Sequence, residues 1–425
     1  MNRPMAKQIV RFLRVSETSR TRDLCLANLN DWTWKKTARW LDASGLTLAF
    51  WSRLKERGRE EDISPEIRSQ LDGNLASHRK RLAAMRREFD LINSCLEAAG
   101  VEYAVLKGFA LIPEYCHDPV LRNSYDYDYL VRPGELRRTH DALRNAGFAL
   151  KKEYEHRVVY FQPALATRIA ADRTDLYSPA FPRTIEVHKT LWDSDSAKIP
   201  LDVLEDALDC RVLRRWESSS FYALAEEDHL LFEVLHAFWH ILENWCRLSW
   251  LLEIASFLEC RYGDSAFWDK FYTRIQSDRR LLEMTGVVFA LAVGLFGGRS
   301  AELIRNLLRS ERSPSLALWV NLYGMDSALD NFSVNKFSLF LHHEFVQDHA
   351  AWRQLRRNRL FPPGRPNRAV NASSTQLLGR AIAACRQGLH VGRRMQHHLT
   401  ADLRYVWEVP RWARLRAGVG PSASD

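Results

Sequence analysis

Apolar residues recur at three- and four-residue spacing through "NDWTWKKTARWLDASGL" and "ASHRKRLAAMRREFDLINSCLEAAG". The first hundred residues therefore predict amphipathic helices, the second of these closed by Gly100. Then the period changes. "VEYAVLK" is a short β-branched and aromatic run that predicts a strand, and "GFALIPEYC" follows as a short helix limited by Pro113. "YDYDYLVR" predicts a second strand, and "PGELRRTHDALRNAG" an amphipathic helix opened by Pro133 and closed by Gly147. "RVVYFQ" and "RTIEVHK" predict further strands, with "ATRIAADRTDLYSPAFP" between them as a strand followed by a turn. From about Leu201 the pattern is helical again. "AEEDHLLFEVLHAFWHILENWCRLSWLLEIASFLE" is long, apolar and aromatic, with no proline or glycine. "RNRLFPPGRPNRAVNASS" has the composition of a linker, and the stretch to Asp425 is arginine-rich, with one or two helices and a Gly/Ser/Pro tail. No internal repeat is present.

The expectation is an α+β fold in which a small mixed β-sheet core sits among helices. The predicted regions are an N-terminal helical region (1–79), an α/β core (80–200), a helical domain (201–358), and a basic linker with a C-terminal helical tail (359–425).

Composition narrows this only slightly. The 425 residues are 46% hydrophobic and 27% charged, as in an ordinary globular chain. The net charge of +9 and pI of about 9.2 suit phosphate-bearing partners, although the charge is thinly spread. Seven cysteines without CxxC or regular spacing argue against a disulfide frame and for a reducing compartment. The N-terminus lacks an apolar core of signal-peptide length. "MTGVVFALAVGLFGG" is too short to span a bilayer and predicts a buried helix. A cytoplasmic protein is expected.

The chemistry concentrates in the strands. Residues i and i+2 of a strand share a face, so Asp126 and Asp128 project together while the neighbouring tyrosines face the other way. Two carboxylates a few ångströms apart resist double ionisation unless a cation lies between them. Magnesium, with its preference for oxygen ligands and its open positions for phosphate, answers that need. A lone DxD more often faces water, but three neighbours count against that here. Lys107-Gly108 ends the preceding strand, where glycine lets backbone approach a phosphate, a helix N-terminus favours the anion, and the lysine adds charge. Glu186, between Ile185 and Val187 in a later strand, is a natural third carboxylate ligand, with Asp175 in reserve. The order is strand, KG, helix, DxD strand, helix, strand with the third acid.

These motifs resemble the polymerase β-like nucleotidyltransferase superfamily, with its hydrophobic–Gly–(Gly/Ser) turn, h-D-h-(D/E)-h strand and later third carboxylate. More closely they resemble an uncharacterised bacterial nucleotidyltransferase family, through "LKGFALIPEY", "RNSYDYDYLVRPGELRRTHDALRNAG", "IEVHKTL" and the helical "LAEEDHLLFEVLHAFWH…CRLSWLLEIA". The likeness runs from about Leu91 to Leu258. Lys107-Gly108-Phe109 stands where the wider superfamily has Gly-Ser, and the spacer from Gly108 to Asp126 is longer than its norm.

The resemblance implies a palm-like core and a Mg2+ (or Mn2+) dependent transfer of a nucleoside monophosphate from NTP to a hydroxyl or phosphate acceptor. Asp126, Asp128 and Glu186 would be the catalytic metal ligands, and Lys107 and Gly108 would bind the nucleotide phosphates. Arg122 would either join them or brace the strand. A non-catalytic or toxin-like protein holding RNA or a partner in the same cleft is the alternative.

His236 and His240, four apart on one helix face, either line the acceptor pocket beside the sheet or belong to the core; no third zinc ligand accompanies them. Arg247 and Glu253 imply a buried pair or a substrate contact. Trp239, Trp245 and Trp250 read as core. The basic "RQLRRNRLFPPGRPNR" and "HVGRRMQHH" offer contact to nucleic acid or an anionic surface, or are simply solvated. No Rossmann fingerprint, P-loop or serine elbow appears.

Overall fold

A computed structural model describes residues 3–15, 24, 26, 31–163, 175–201, 206–299, 314–329, 335–362 and 377–419. The expected strand after Phe161 falls partly on residues 164–174, and the proline- and arginine-rich linker falls mostly on 363–376; both stretches lie outside the described residues.

The fold is α+β, as expected. Among the described residues, seven strands form one mixed sheet in the order β3-β4-β5-β2-β1-β7-β6. They are β1 (Tyr103–Val105), β2 (Asp126–Val131), β3 (Ala149–Glu153), β4 (Arg157–Phe161), β5 (Thr184–His188), β6 (Val212–Trp216) and β7 (Ser219–Ala223). The central strand β2 pairs antiparallel with β1 and parallel with β5. The sheet does not end near residue 200: β6 and β7 form an antiparallel hairpin at its edge, in a stretch whose sequence predicts helix. Their turn passes through Glu217 at φ 50°, so no glycine or asparagine marks it.

Among the helices used below are α1 (Arg3–Phe12), α2 (Asp31–Ser44), α3 (Thr47–Glu56), α4 (Pro65–Ala98) and α5 (Leu136–Asn145). After the sheet come α6 (Glu226–Leu242), α7 (Leu248–Cys260), α8 (Ser265–Ile275), α9 (Arg279–Phe296) and, last, α10 (Leu377–Gly418). The apolar "MTGVVFALAVGLF" run lies in α9, whose Met284, Val288, Leu291 and Leu295 are buried. No helix among the described residues is long and apolar enough to cross a membrane.

The long α4 starts at a Ser64 cap with Pro65 in its first turn. It buries Leu71, Leu75, His78, Arg81, Met85, Phe89, Ile92 and Leu96 at three- and four-residue spacing. Phe89, Ile92 and Leu96 pack on one face of the sheet with Tyr103, Val105, Tyr127, Tyr129, Ile185 and Val187. The opposite face is smaller: Ala104, Leu106, Leu130 and Leu224 meet Phe232 of α6. The sheet is thus clamped between α4 behind and α6 in front, and alternation along β2 sends its tyrosines back and its aspartates forward.

Candidate active site

Strand β2 is fixed from behind. Tyr127 donates its hydroxyl to Glu88 Oε2 (2.8 Å) and lies 3.1 Å from Met85 O, and Tyr129 donates to Asn93 Oδ1 (2.9 Å). The approach to β2 is held from the same helix. The fully buried Arg81 donates to Ser124 O (2.8 Å), and His78 Nε2 lies 3.0 Å from Arg122 O.

On the front face, the parallel register sets Asp128 opposite Glu186. Asp128, Glu186 and His188 each offer a ligand atom, and these atoms lie within 4.8 Å of one another. Asp126 is outside that compact set. It borders a neighbouring small cavity of about 20 Å³ together with Lys107, Gly108, Arg122, Ser124 and, from α4, Leu82, Met85 and Phe89.

Asp128 is 1% exposed and doubly compensated: Lys107 Nζ and His188 Nε2 each lie 3.1 Å from its Oδ1. Its second oxygen, Oδ2, is buried without a protein partner. Burial pushes the Asp128 carboxyl up, but Lys107 and the His188 hydrogen bond outweigh it and hold the group below the usual carboxylate range. Asp126 moves the other way, raised by burial and then by the charge of Asp128. Glu186 is pushed up to about 7 by burial and by Asp128, against the pull of Arg157, whose Nε lies 3.2 Å from Glu186 Oε2. Burial lowers His188, so a neutral ring donates to Asp128. Lys107 is also buried, yet its four acidic neighbours, led by Asp128, raise it.

The turn after β1 differs from its prediction. Gly108 has φ +67°, a conformation that glycine adopts without strain, but the chain then makes a single four-residue 3-10 turn (Gly108–Leu111) rather than a helix with an anion-binding end. A phosphate there would meet backbone and Lys107, not a helix dipole.

Arg122 lines the cavity and also braces it: its Nε lies 3.0 Å from Glu253 Oε1 on α7, and it contacts the Ser124 hydroxyl. Arg247 does not pair with Glu253. It reaches Asn123 O (3.5 Å) and stacks over Tyr125 at 5.1 Å. Asp175 accepts a hydrogen bond from Tyr177 N in a surface turn, which is its own structural task.

Helix α6 covers the acidic face. Phe232 approaches His188 (6.3 Å between ring centroids) and lies 5.7 Å from Lys107 Nζ. One turn on, His236 and His240 pack edge-on at 4.7 Å, with Trp250 4.4 Å from the first and 4.5 Å from the second. Burial and then Lys107 lower both histidines, His240 to about 3, so both rings are neutral. Sequence reasoning passed over two residues here. His188 carries a visible signal, being two residues from Glu186 and so on the same strand face. Glu233 does not: an acid in an aromatic helix, it is 1% exposed, with neither oxygen hydrogen-bonded by protein, and burial and Glu253 push it up to about 8.

A small parallel-paired acidic face with a glycine turn beside it, clamped under a helix, is the arrangement of a phosphoryl- or nucleotidyl-transfer site. The chain belongs to a family of nucleotidyltransferases described as uncharacterised, whose model matches residues 30–297. The match begins earlier and ends later than the motifs alone mark out, taking in α2 to α9. No curated protein matches the chain. No solved structure matches it either. Family membership makes the protein a transferase.

Proposed function

We propose that the protein is a divalent-metal-dependent nucleotidyltransferase that moves a nucleoside monophosphate from NTP to a hydroxyl or phosphate group of a small acceptor. The observation that supports this most is the convergence of Asp128, Glu186 and His188 to within 4.8 Å on a buried sheet face, beside Asp126 and the Gly108 turn. The carboxylate oxygens of Asp128 and Glu186 fit a divalent cation such as Mg2+ or Mn2+, and the unpartnered buried Asp128 Oδ2 supplies a free ligand atom. Asp128 and Glu186 would hold the ion, with His188 beside them and Asp126, outside that compact set, as the further carboxylate that would complete the shell. A bound ion of this kind polarises phosphate oxygens and acidifies an acceptor hydroxyl.

The rest falls to the chain itself. Lys107 and Arg122, the cations that act on Asp126, would offer positive charge to a triphosphate, and Gly108 would leave room for its oxygens. Helix α6 closes the front, so His236 and His240 stand where an acceptor enters, and their neutral rings can hydrogen-bond a hydroxyl without adding charge.

The test is metal-dependent release of pyrophosphate from each NTP, measured with pooled sugar, phosphosugar and peptide acceptors. Mg2+ or Mn2+ with nucleotide should also raise the melting temperature by mass action, an effect of about 3 kcal/mol at a hundredfold excess over Kd. Absence of both responses in the folded protein would end this reading.

A further inference from the structure

We propose that the outer face of α10 is a membrane-surface anchor that takes anionic lipid headgroups. This inference does not depend on the reaction proposed above. The inner face of the helix is docked: Ala401, Tyr405 and Trp412 are buried, with ring contacts from Tyr405 and Trp412 to Phe340 at 5.0 and 5.3 Å. The outer face carries Leu389, Met395, Leu399, Leu403, Val406 and Trp407, which are 56–83% exposed, Trp407 the most. At 100° per residue these six fall within an arc of about 120°, a largely apolar stripe roughly 27 Å long that only Gly392 and Gln396 interrupt.

Arg393, Arg404 and Arg411, spaced by eleven and seven residues, follow one flank of that stripe. Residues 377–418 hold eight arginines against two acids. Both acids are engaged: Asp402 pairs with Lys336 (2.5 Å), and Glu408 accepts from Tyr323 and Arg411 (2.8 Å each).

This combination selects the occupant. A nucleic-acid backbone would answer the arginines but leave six large apolar side chains in water. A second copy paired antiparallel through the stripe would set each arginine flank against its own image. A parallel pair would turn it toward Val391, Asp402 and Val409, where the one acid is already bound. A bilayer surface with anionic headgroups meets both features, since leucine, methionine, valine and tryptophan enter the acyl boundary while arginines along the edge meet phosphate. The helix would lie in the interface plane, with the folded body behind it.

The experiment is co-sedimentation of the full chain with vesicles of phosphatidylcholine alone and with about 30 mol% phosphatidylglycerol added. Binding is expected only to the anionic vesicles, at least tenfold stronger than to the neutral ones, and weakened by raising salt from about 50 to about 500 mM. Leu403→Asp/Trp407→Asp should abolish it, and Arg393→Glu/Arg404→Glu should weaken it by an order of magnitude or more. All four positions are solvent-exposed, so both variants should fold, which thermal melts check. The proposal is overturned if folded wild-type protein fails to pellet with anionic vesicles, or if pelleting survives both double variants. It is equally overturned if the stripe proves to be a dimer contact, with a wild-type dimer made monomeric by Leu403→Asp/Trp407→Asp and no vesicle binding.

Discussion

Replacing the two aspartates of β2 one at a time should have opposite consequences for the metal-free protein. Asp128 and Lys107 form a buried pair at 3.1 Å, with side chains 1% and 11% exposed. At an effective dielectric constant of about 20, their attraction is about 5 kcal/mol, much of it offset by the desolvation of both groups. Asp128→Asn removes one partner and leaves the Lys107 ammonium buried; breaking such a pair costs about 3–5 kcal/mol. Asp126, Glu233 and Glu186 still act on Lys107 from further away, so the lower end, about 3 kcal/mol, is expected.

Asp126 has no hydrogen-bond partner among the described residues, and its carboxyl is raised by burial and by Asp128. Asp126→Asn should therefore be neutral or stabilising by about 1 kcal/mol. Urea unfolding with chelator present, followed by circular dichroism, reads both. In the Asp128→Asn background, Lys107→Met should recover most of the loss, because it removes the stranded charge. Equal effects of the two single substitutions, or no recovery in the double, would refute the buried-pair argument.

A Cβ at Gly108 would meet nothing within 4 Å, so Gly108→Ala should cost about 1–2 kcal/mol through the positive φ alone, visible as a lower melting temperature; an unchanged melt would show that the turn relaxes. Glu233 is pushed up from 4.5 to about 8, so the folded state holds its proton more tightly than the unfolded chain, and the group costs stability as pH rises through that window. The stability gained by Glu233→Gln should then be near zero at pH 4.5 and about 2–4 kcal/mol above pH 8, and a gain that does not vary with pH would contradict this. His236→Ala should lower turnover with the true acceptor far more than it lowers the thermal shift given by metal and nucleotide; proportionate loss of both with a lower melting temperature would make it a core residue.

Much of this site can be read from local spacing. The DxD at period two, the acid between Ile185 and Val187, and the helix supplying a front wall all follow from alternation and amphipathicity. The facing of Asp128 and Glu186 needed the pairing of β2 with β5, separated by more than fifty residues, and no local pattern encodes that register. Lys107 illustrates the same limit: its sequence neighbours suggest a phosphate contact, whereas the fold turns it onto Asp128. The β6–β7 hairpin escaped because Val212 and Leu213 are exposed edge-strand residues and Glu217 makes the turn without glycine. Edge strand β3, "ALKKE", is nearly all solvent-facing and carries no apolar period.

The tyrosines of β2 divide the labour between the two sides of the sheet. Their hydroxyls lock the strand to α4 at Met85, Glu88 and Asn93, so the position of Asp126 and Asp128 is set by bonds behind the sheet. The site therefore resembles a vice with one fixed jaw and one exchangeable jaw. Substitutions in α6 and α7 can reshape what is gripped without moving the anvil. On the proposed function, acceptor preference should be sought by exchanging the 226–260 segment between family members, not by altering the strands.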